Sequence, residues 1–432
     1  MPSDSWDSPA VHHEGTKMSE TTALSASHDE QSEDALTEGI AAEAVGGDFA
    51  AMLAVPEPQE VYAGIGSTPI IVMEGNHIVG AAKSVDALTR SHDVRGSGAL
   101  GNTQSADRPL IPLDIDRPEH TKYRKLLDPI FSAKAIAHLE TDVRTLADEL
   151  IDKFIERGHA DIYDEFCAIL PSTIFLRLMG IPLSKLNYFL QNKDDLLRDI
   201  EGETVAQREA RYKAAGKRCY AYFNQVLDER EASGEPGDDI LGRFMTAEVD
   251  GHSLTRENIL DICFLLMIAG LDTVAASLSC ILSWLARHPD ERRQVVANPQ
   301  MWPDAIEELM RWETPVPVAS RTPTVDMQVG ETTVAAGTQV TVLWAAANLD
   351  PEKFKDPLTV DLTRRPNPHY SFASGFHRCL GSHLARMELR AALDQFHKRI
   401  PDYEVTPGSA LRYEAFPVRL ARPLPLSWAV RG

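Results

Sequence analysis

Hydrophobic residues recur with the period of an α-helix over most of this chain. Between residue 133 and about residue 245 they predict a succession of amphipathic helices, because apolar side chains repeat every three to four positions. Turn-forming residues interrupt the series at 158–160, 180–182, 201–203 and 234–237. Residues 257–286 are long and almost wholly apolar, and residues 380–400 carry apolar positions on one face. Both segments predict further helices.

Shorter segments carry strand signals. Residues 70–73 and 77–79 flank a turn at 74–76 and predict a hairpin, with a short helix at 84–91 after it. Residues 329–347 show strand signals around Gly330 and Gly337, and residues 403–431 predict a β-rich end whose turn near Phe416 points back into the fold. The pattern therefore predicts a mainly α protein with small β-sheets.

Composition separates the first 47 residues from the rest and restricts the class of the protein. In this stretch Lys17 is the only Lys or Arg among many acids, so we expect a disordered acidic tail. The whole chain has 432 residues and a net charge of −21 without a Lys/Arg-rich run, which argues against nucleic acid as a partner. Length alone would allow two or three domains.

Cysteine usage and the absence of targeting patterns indicate the compartment. The five cysteines are widely spread and form no Cys-x-x-Cys pair, which argues against a disulfide framework or a zinc site. The first thirty residues lack the apolar core of a signal peptide, and no apolar run is expected to reach the length needed to span a bilayer. We therefore expect a soluble, cytoplasmic protein without a membrane anchor.

The segment from Phe372 to Gly381, Phe-Ala-Ser-Gly-Phe-His-Arg-Cys-Leu-Gly, carries the most specific chemistry. It places Cys379 next to the N-terminus of the predicted helix at 380–400, where backbone N–H groups and the helix dipole favour a thiolate. Gly375 and Gly381 lack the Cβ atoms that would keep the backbone away from a flat, bulky group. A thiolate beneath a planar group is what axial ligation of haem iron requires. For a lone cysteine, the alternative is a buried small apolar residue.

The pattern Phe-x-x-Gly-x-x-x-Cys-x-Gly resembles the haem-binding loop of the cytochrome P-450 family of haem-thiolate monooxygenases. Three further segments resemble this family in the family's order, and the resemblance runs from about residue 60 to the end. It implies the cytochrome P-450 fold, a triangular prism in which haem b lies between a long central helix and the helix that bears Cys379. Residues 48–432 would then form one catalytic domain. Ala373 stands where many members have glycine.

The resemblance also implies which residues contact the haem. Cys379 would be the axial iron ligand, and Phe372 and Gly270 would lie against the haem. The haem propionates are buried anions, so several donors must converge on them. The residues that match the family's propionate contacts are His120, Arg124, Arg321 and His377. His120 and Arg124 lie four apart on one helical face, for which a solvated basic surface is the alternative.

Asp272 and Thr273 match the oxygen-activation motif of the family. Thr273 would hydrogen-bond the dioxygen, and Asp272 would help to relay protons. The preceding Gly270 weakens a helix by roughly 1 kcal/mol relative to Ala and would let its backbone open locally. An acid beside an alcohol is costly in a buried helix unless it is paired or used. The alternative is a threonine bonded to its own helix and an acid held in a salt bridge.

Two further sets of residues complete the predicted site. Glu308 and Arg311, three apart on one helix, resemble the structural Glu-x-x-Arg pair that locks this helix to the loop before the cysteine. An apolar substrate pocket is predicted from Phe264, Met267, Ile268, Leu271, Val316, Val318 and Phe416.

These features predict a monooxygenase that hydroxylates or epoxidises a terpenoid, a branched lipid or a steroid-like molecule with O2. The chain leaves no room for a flavin or nicotinamide domain, so NAD(P)H would act only through a separate reductase with a ferredoxin or flavodoxin. A basic patch for that partner is predicted from Lys122, Lys125, Arg378, Arg386 and Arg390. The alternatives are a haem-thiolate dehydratase or isomerase that needs no external electrons, and a haem-binding sensor or carrier.

Overall fold

Helices account for most of the structure, as the apolar period predicted. In chain order they are α1 (Gln59–Gly66), α2 (Ala82–Arg90), α3 (Glu119–Ile130), α4 (Ala133–Ile136), α5 (Leu139–Asp152), α6 (Ile169–Leu178), α7 (Leu186–Leu197), α8 (Val205–Ser233), α9 (Ile240–Met245), α10 (Arg256–Arg287), α11 (Pro289–Ala297), α12 (Trp302–Glu313), α13 (Trp344–Ala347) and α14 (Ser382–Arg399). The computed structural model describes residues 54–73, 76–96, 108–198, 200, 202–249, 251–415 and 417–430. The predicted tail, residues 1–47, lies outside the described residues, as does Phe416.

The strands are short and form small sheets, also as predicted. They are β1 (Ile71–Met73), β2 (Asn76–Val79), β3 (Val94–Arg95), β4 (His159–Asp161), β5 (Glu248–Val249), β6 (His252–Ser253), β7 (Val318–Pro323), β8 (Met327–Val329), β9 (Thr332–Val334), β10 (Val340–Leu343), β11 (Glu404–Val405), β12 (Tyr413–Glu414), β13 (Leu420–Ala421) and β14 (Pro425–Ser427). The largest sheet has the order β1-β2-β10-β7-β3, in which only the β2–β10 pair is parallel. Strand β14 pairs with β4, so distant parts of the chain interlock.

The long apolar helix α10 runs through the centre of the fold. It begins with a capping box, in which Thr255 accepts a hydrogen bond from the Asn258 N–H and Asn258 accepts one from the Thr255 N–H. It packs against α6, α7, α8, α12 and α14. Contrary to the expectation from sequence, it is long and apolar enough to cross a membrane, the one such helix among the described residues, but 78% of its most apolar stretch is buried inside the protein. Its apolar composition is therefore that of a core helix.

The predicted helix boundaries agree with the structure to within a few residues. Gly158, Gly180 and Gly234 all have positive φ, and they interrupt the helical series where breaks were predicted. The helix expected at 84–91 begins earlier, at Ala82, and no side chain caps it. The helix after Cys379 runs from Ser382 to Arg399, one turn shorter than the apolar pattern indicated.

Two buried side chains tie helix α12 to the segment before the cysteine loop. The Glu308 carboxylate accepts hydrogen bonds from Arg311 Nη2 and Nε, both at 2.8 Å. It also accepts from Arg364 Nε at 3.0 Å, from Asn367 Nδ2 at 3.1 Å and from the Asp361 N–H at 2.9 Å. A buried carboxylate is tolerated only when it is paired and hydrogen-bonded in this way.

The Arg311 guanidinium continues the same network towards the backbone. It donates to the carbonyl oxygens of Asn348 at 2.9 Å, Pro357 at 2.9 Å and Thr359 at 3.3 Å. Glu308 and Arg311 are both completely buried. On an exposed helix such a pair is worth only tenths of a kcal/mol, but here its loss would leave several buried groups without partners.

We predict that Arg311→Ala lowers the free energy of unfolding by about 3–5 kcal/mol, because it removes two of the five hydrogen bonds to the buried Glu308 carboxylate and leaves the Asn348 and Pro357 carbonyl oxygens without this donor. Urea denaturation followed by circular dichroism measures this change. Arg365→Ala is the matched control, since Arg365 also pairs with an acid of α12, Asp304, but is exposed. Equal stability of the Arg311→Ala variant and the native protein would contradict the prediction.

Candidate active site

The cysteine loop, residues 372–381, is a tight turn that precedes α14. The Cys379 N–H donates to the Phe372 carbonyl at 2.9 Å, and the Arg378 N–H donates to the Gly375 carbonyl at 3.3 Å. Gly375 has φ +72°, and a Cβ there would lie 1.9 Å from the Thr89 carbonyl oxygen. Only glycine fits this position. Ala373 also adopts the left-handed region, with φ 57°, so replacing the family's glycine there has a cost of order 1 kcal/mol.

Side-chain hydrogen bonds hold this loop on both sides. Ser374 and Thr89 of α2 share a hydrogen bond of 2.7 Å between their hydroxyls. Ser371 donates to the Met310 carbonyl of α12 at 2.6 Å and accepts from Asn348 Nδ2 at 3.0 Å. All of these contacts are buried, which strengthens them and fixes the path of the loop.

A cavity of about 300 Å³ lies between the cysteine loop and helix α10. Cys379, Phe372, Gly381, Gly270 and Thr273 all border it. The rest of its wall is mostly apolar and includes Pro112, Leu113, Pro171, Phe175, Leu178, Met179, Leu197, Ile240, Leu265, Leu266, Ile268, Ala269, Val274, Val316 and Val418. The predicted haem loop and the predicted oxygen-activation motif therefore face one apolar space.

Cys379 is exposed, and it contributes to the wall of this cavity. Desolvation by the surrounding protein raises the pKa of its thiol, while the Gly381 N–H and the charges of Arg124, Arg386 and Arg378 lower it. The net direction corrects the expectation that the helix N-terminus alone favours the thiolate. Helix α14 begins at Ser382, three residues after Cys379.

Positively charged and neutral nitrogen donors gather at one corner of the cavity. The His120 and His377 rings lie 4.4 Å apart, and both residues border the cavity together with Arg124. Burial lowers the pKa of His377 to about 3 and that of His120 to about 4, and in each case nearby positive charges add to the effect. His377 Nδ1 is buried without a hydrogen-bond partner. Arg124 Nη2 pairs with Asp128 Oδ1 at 2.8 Å, and Asp116 Oδ1 lies 4.0 Å from His377 Nε2. The nitrogen donors of this corner fit the carboxylates of a haem.

Arg321 does not border the cavity, in contrast to its predicted contact with a haem propionate. It is almost fully buried on β7, where Nη1 donates to the Ser320 carbonyl at 2.7 Å, and it does not border the cavity. Its charge nevertheless lowers the pKa of His377, and burial lowers its own pKa to about 10. Arg321 thus contributes positive potential to the corner, and a direct contact is not seen.

Thr273 and Gly270 lie on the side of α10 that faces the cavity, as predicted. The Thr273 hydroxyl donates to the Ala269 carbonyl at 2.8 Å, which is the bond to its own helix considered above as the alternative. Helix α10 remains continuous through Gly270, so the expected local opening of its backbone is wrong for this structure. The nearest atom that a Cβ at Gly270 would meet is in the Phe175 ring, at 3.4 Å.

Asp272 points away from the cavity, which corrects its predicted placement. Its carboxylate is completely buried and is bound by the Arg198 guanidinium and by Lys193 Nζ, the latter at 3.3 Å. The Tyr163 hydroxyl lies 3.3 Å from Lys193 Nζ and 3.4 Å from Arg198 Nη2. The acid is therefore held in a salt bridge at the end of α7, behind the wall that carries Thr273.

Some of the predicted pocket residues border the cavity and others do not, and for those on α10 the difference is the side of the helix they occupy. Ile268 and Val316 border the cavity, whereas Met267 and Leu271 do not. Met267 and Leu271 lie two positions before and after Ala269, about 200° around the helix, and pack into the core instead. Phe264 and Val318 are also outside the cavity wall, and Phe416 lies outside the described residues.

The cavity residues that the sequence analysis did not assign to the site include two polar ones on helices, Ser277 and Glu388. Ser277 follows Thr273 by four positions and donates to its carbonyl at 2.7 Å, so the helical period could have identified it. Glu388 lies on α14 among buried residues, including Met387 and Leu389. The sequence signal that could have identified Glu388 is an acidic residue within an otherwise apolar stretch of the helix.

Comparison with known proteins agrees with this geometry. A family model described as Cytochrome P450 matches residues 116–399, more than half of the chain. The mycinamicin IV hydroxylase/epoxidase of Micromonospora griseorubida is 31% identical over 360 residues, covering 79% of this chain and 89% of that protein. The steroid C26-monooxygenase of Mycobacterium tuberculosis is 32% identical over 299 residues, covering 68% of this chain and 80% of that protein.

Solved structures share the fold as well. The post-tailoring hydroxylase HmtN, involved in himastatin biosynthesis, superposes with a TM-score of 0.73 at 28% sequence identity. The match covers 84% of this chain and 94% of that one.

These matches identify what the cavity is for. Enzymes of this kind bind haem b, receive electrons through redox partners and use O2 to hydroxylate apolar substrates. The bacterial relatives indicate a soluble enzyme. With the family model matched across the cysteine loop and the cavity helix, the chain belongs to the cytochrome P450 family and is a haem-dependent monooxygenase.

Proposed function

We propose that this enzyme hydroxylates or epoxidises a neutral, largely hydrocarbon substrate such as a terpenoid, a branched lipid or a steroid-like molecule. The observation that carries this proposal is that Cys379 and Thr273 border one cavity whose remaining wall is mostly apolar. No charged side chain occurs among the cavity residues contributed by α6, α7, α9 and α10, so a charged substrate group would find no partner there. Ile268 and Val316 would contact the substrate.

The residues present fit a bound haem. Cys379 would be the axial ligand, while His120, Arg124 and His377 would hold the propionates, with Arg321 behind them. The unpartnered His377 Nδ1 and the mutual repulsion of this corner support that assignment. Haem supplies the binding and activation of dioxygen, and the protein supplies the ligand, the protons and a dry pocket.

Thr273 acts in this scheme as a hydrogen-bond acceptor towards the cavity. Its hydroxyl hydrogen is used by the Ala269 carbonyl, so the Oγ1 lone pairs remain for a donor in the cavity. The hydroxyl can then hold a proton-bearing group or a water molecule in place while bulk water stays out. Such control matters because poorly directed protonation releases reduced oxygen as peroxide.

Asp272 can relay a proton only after its partners move. Arg198 and Lys193 both belong to the end of α7, and Arg198 also contacts Glu414 of β12 at 3.2 Å and Asp194 at 3.8 Å. Exchange of Arg198 towards these more exposed acids would leave Lys193 as the remaining partner of the Asp272 carboxylate. We therefore assign to Asp272 a relay role that depends on movement of both Arg198 and Lys193.

The electron donor is proposed to be a ferredoxin or flavodoxin with its reductase, acting on a cytoplasmic enzyme. Residues 48–432 would form one catalytic domain, as the pairing of β2 with β10 and of β4 with β14 supports. Within the predicted basic patch, Arg386 and Arg390 are paired with Glu307 and Glu140. The side chains of Lys125 and Arg378 are exposed, and we propose that they carry most of the patch's charge.

Replacing Cys379 by Ala should remove the thiolate-type carbonyl spectrum of the reduced protein. The native enzyme, reduced with dithionite under carbon monoxide, is expected to show the Soret band of a thiolate-ligated haem. A histidine-type band in the native enzyme would contradict the monooxygenase mechanism. Turnover without NAD(P)H and reductase would favour a dehydratase or isomerase instead, and spectral haem binding without any turnover would favour a sensor or carrier.

Thr273→Ala should separate oxygen consumption from product formation. We expect NAD(P)H oxidation to continue while product per electron falls about tenfold and peroxide rises, because the hydroxyl acceptor is lost. Thr273→Ser keeps the hydroxyl and is the matched control. If the alanine variant remained as well coupled as the serine variant, the assigned role of Thr273 would be wrong.

Charge reversal of the exposed basic side chains should weaken electron transfer. We expect Lys125→Glu combined with Arg378→Glu to raise the KM for an acidic ferredoxin roughly tenfold at low salt, because charge steers the encounter. The effect should disappear at about 1 M salt, where the Debye length is only ~3 Å. Lys213→Glu, an exposed substitution on α8, is the control. An unchanged KM in the double variant would remove the patch from the docking surface.

A further inference from the structure

Arg419 is a completely buried arginine that the mechanism above does not use and that does not itself border the cavity. Its guanidinium donates from Nη1 to the Val55 carbonyl and from Nη2 to the Pro56 carbonyl, both at 2.9 Å. Its Nε lies 3.3 Å from the carboxylate of Glu313, which is also completely buried. A buried cation needs an opposite charge and several acceptors, so these contacts fix the side chain in one position.

The two carbonyl groups that Arg419 binds belong to residues 54–58, which precede α1 and which we call the N-terminal strap. Residues 55–57 are exposed, so the strap lies at the surface of the protein. The Glu57 carboxylate pairs with Arg287 of α10, which fastens the strap to the central helix. Arg419 therefore joins a surface segment to the interior of the protein.

The backbone of Arg419 connects two segments of the cavity wall. Pro315 and Val316 form the first wall segment and Pro417 and Val418 form the second, and all four residues border the cavity. The Arg419 N–H donates to the Pro315 carbonyl at 2.7 Å, which joins the two segments directly. The residue whose side chain reaches the strap is thus the residue whose backbone sets the distance between the wall segments.

The chain just before the first wall segment is already fixed. Thr314 has φ 40°, in the left-handed region, and its hydroxyl accepts a hydrogen bond from Asn348 Nδ2 at 2.8 Å and donates to the Arg311 carbonyl at 2.9 Å. These contacts belong to the buried network of α12 described above. Pro315 is therefore held on one side by this network, and on the other by its hydrogen bond from Arg419.

We propose that Arg419 is a positioning residue for substrate selection, which sets the separation of the two wall segments by holding its own backbone against the N-terminal strap. The inference rests on the proposed function, because the wall segments would contact the apolar substrate. Protein interiors are close-packed, so a small shift of either segment changes which apolar group fits. A difference of one methylene group in an apolar pocket is worth ~10–200-fold in selectivity.

Two variants of Arg419 are designed to keep the protein folded. Arg419→Lys retains a positive charge opposite Glu313, but a lysine ammonium cannot reach the three partners that the planar guanidinium holds together. Glu313→Gln combined with Arg419→Gln replaces both buried charges by neutral amides, so that neither charge is left uncompensated. Both variants lose the two-armed contact with the strap.

Arg292→Lys is the matched control. Arg292 is also a buried arginine, which donates to the Leu285 carbonyl at 3.0 Å and pairs with Asp402. None of these three residues borders the cavity. A general loss of packing would therefore affect this variant as well, whereas an effect through the cavity wall would not.

Binding of two azoles to the haem-loaded enzyme tests the proposal. Imidazole is small, whereas phenylimidazole adds an apolar ring that must fit the cavity wall. We expect both Arg419 variants to raise the Kd for phenylimidazole about tenfold and to leave the Kd for imidazole unchanged, and Arg292→Lys to change neither. An equal change for both azoles would overturn the proposal. An unchanged Kd for phenylimidazole in both Arg419 variants, with a thiolate-type carbonyl spectrum intact, would overturn it while leaving the monooxygenase function in place.

Hydrogen–deuterium exchange tests the connection between the strap and the wall. In Arg419→Lys we expect faster exchange in peptides that cover residues 54–59 and 314–318, because the contacts that fix both segments are lost. Peptides from α5 should exchange at the native rate. Faster exchange confined to the strap would show that the wall does not depend on Arg419 and would contradict the proposal.

Discussion

The buried carboxylate of Glu308 determines where the cysteine loop lies. Five N–H groups converge on it from Arg311, Arg364, Asn367 and the Asp361 backbone. Arg311 extends this network by donating a hydrogen bond to the Asn348 carbonyl. The side-chain amide of Asn348 in turn donates to the Ser371 hydroxyl, just before the loop. Glu308, Arg311, Asn348 and Ser371 are all buried, so displacement of any of them leaves polar atoms unsatisfied. Movement of the loop would therefore break several buried hydrogen bonds at once. A few apolar contacts could not restrict its position to the same degree.

This rigid loop faces a cavity whose electrostatic character changes from one side to the other. His120, Arg124 and His377 make one corner positive, with Arg321 behind them, whereas the α10 side is apolar. Burial and mutual repulsion hold both histidines neutral at pH 7. An anion at this corner would relieve the repulsion and favour protonation of the rings, so haem binding and histidine charge are linked. The same asymmetry orients a haem, because only one of its edges carries carboxylates.

Much of this organisation could be predicted from sequence, because it depends on local patterns. Helical period and turn residues located the core helix and the breaks in the helical series, and the spacing of the cysteine loop identified the family. The errors came from tertiary detail. Met267 and Leu271 were assigned to the pocket because they are apolar, although counting from Thr273 would have placed them on the opposite face. The pairing of Asp272 with Arg198, seventy-four residues away in sequence, has no local signature.

Cys379 illustrates why a sequence motif does not by itself determine the ionisation of a residue. Sequence places Cys379 near a helix N-terminus, and this argues for a thiolate. In the folded chain the protein around Cys379 restricts solvation of the thiol, which raises its pKa. Burial likewise raises the pKa of Glu388, which lies beside the same apolar wall. A cavity that carries so little charge beyond its positive corner excludes ionic ligands from the reaction side, and a neutral hydrocarbon can enter it without leaving a buried charge unpaired.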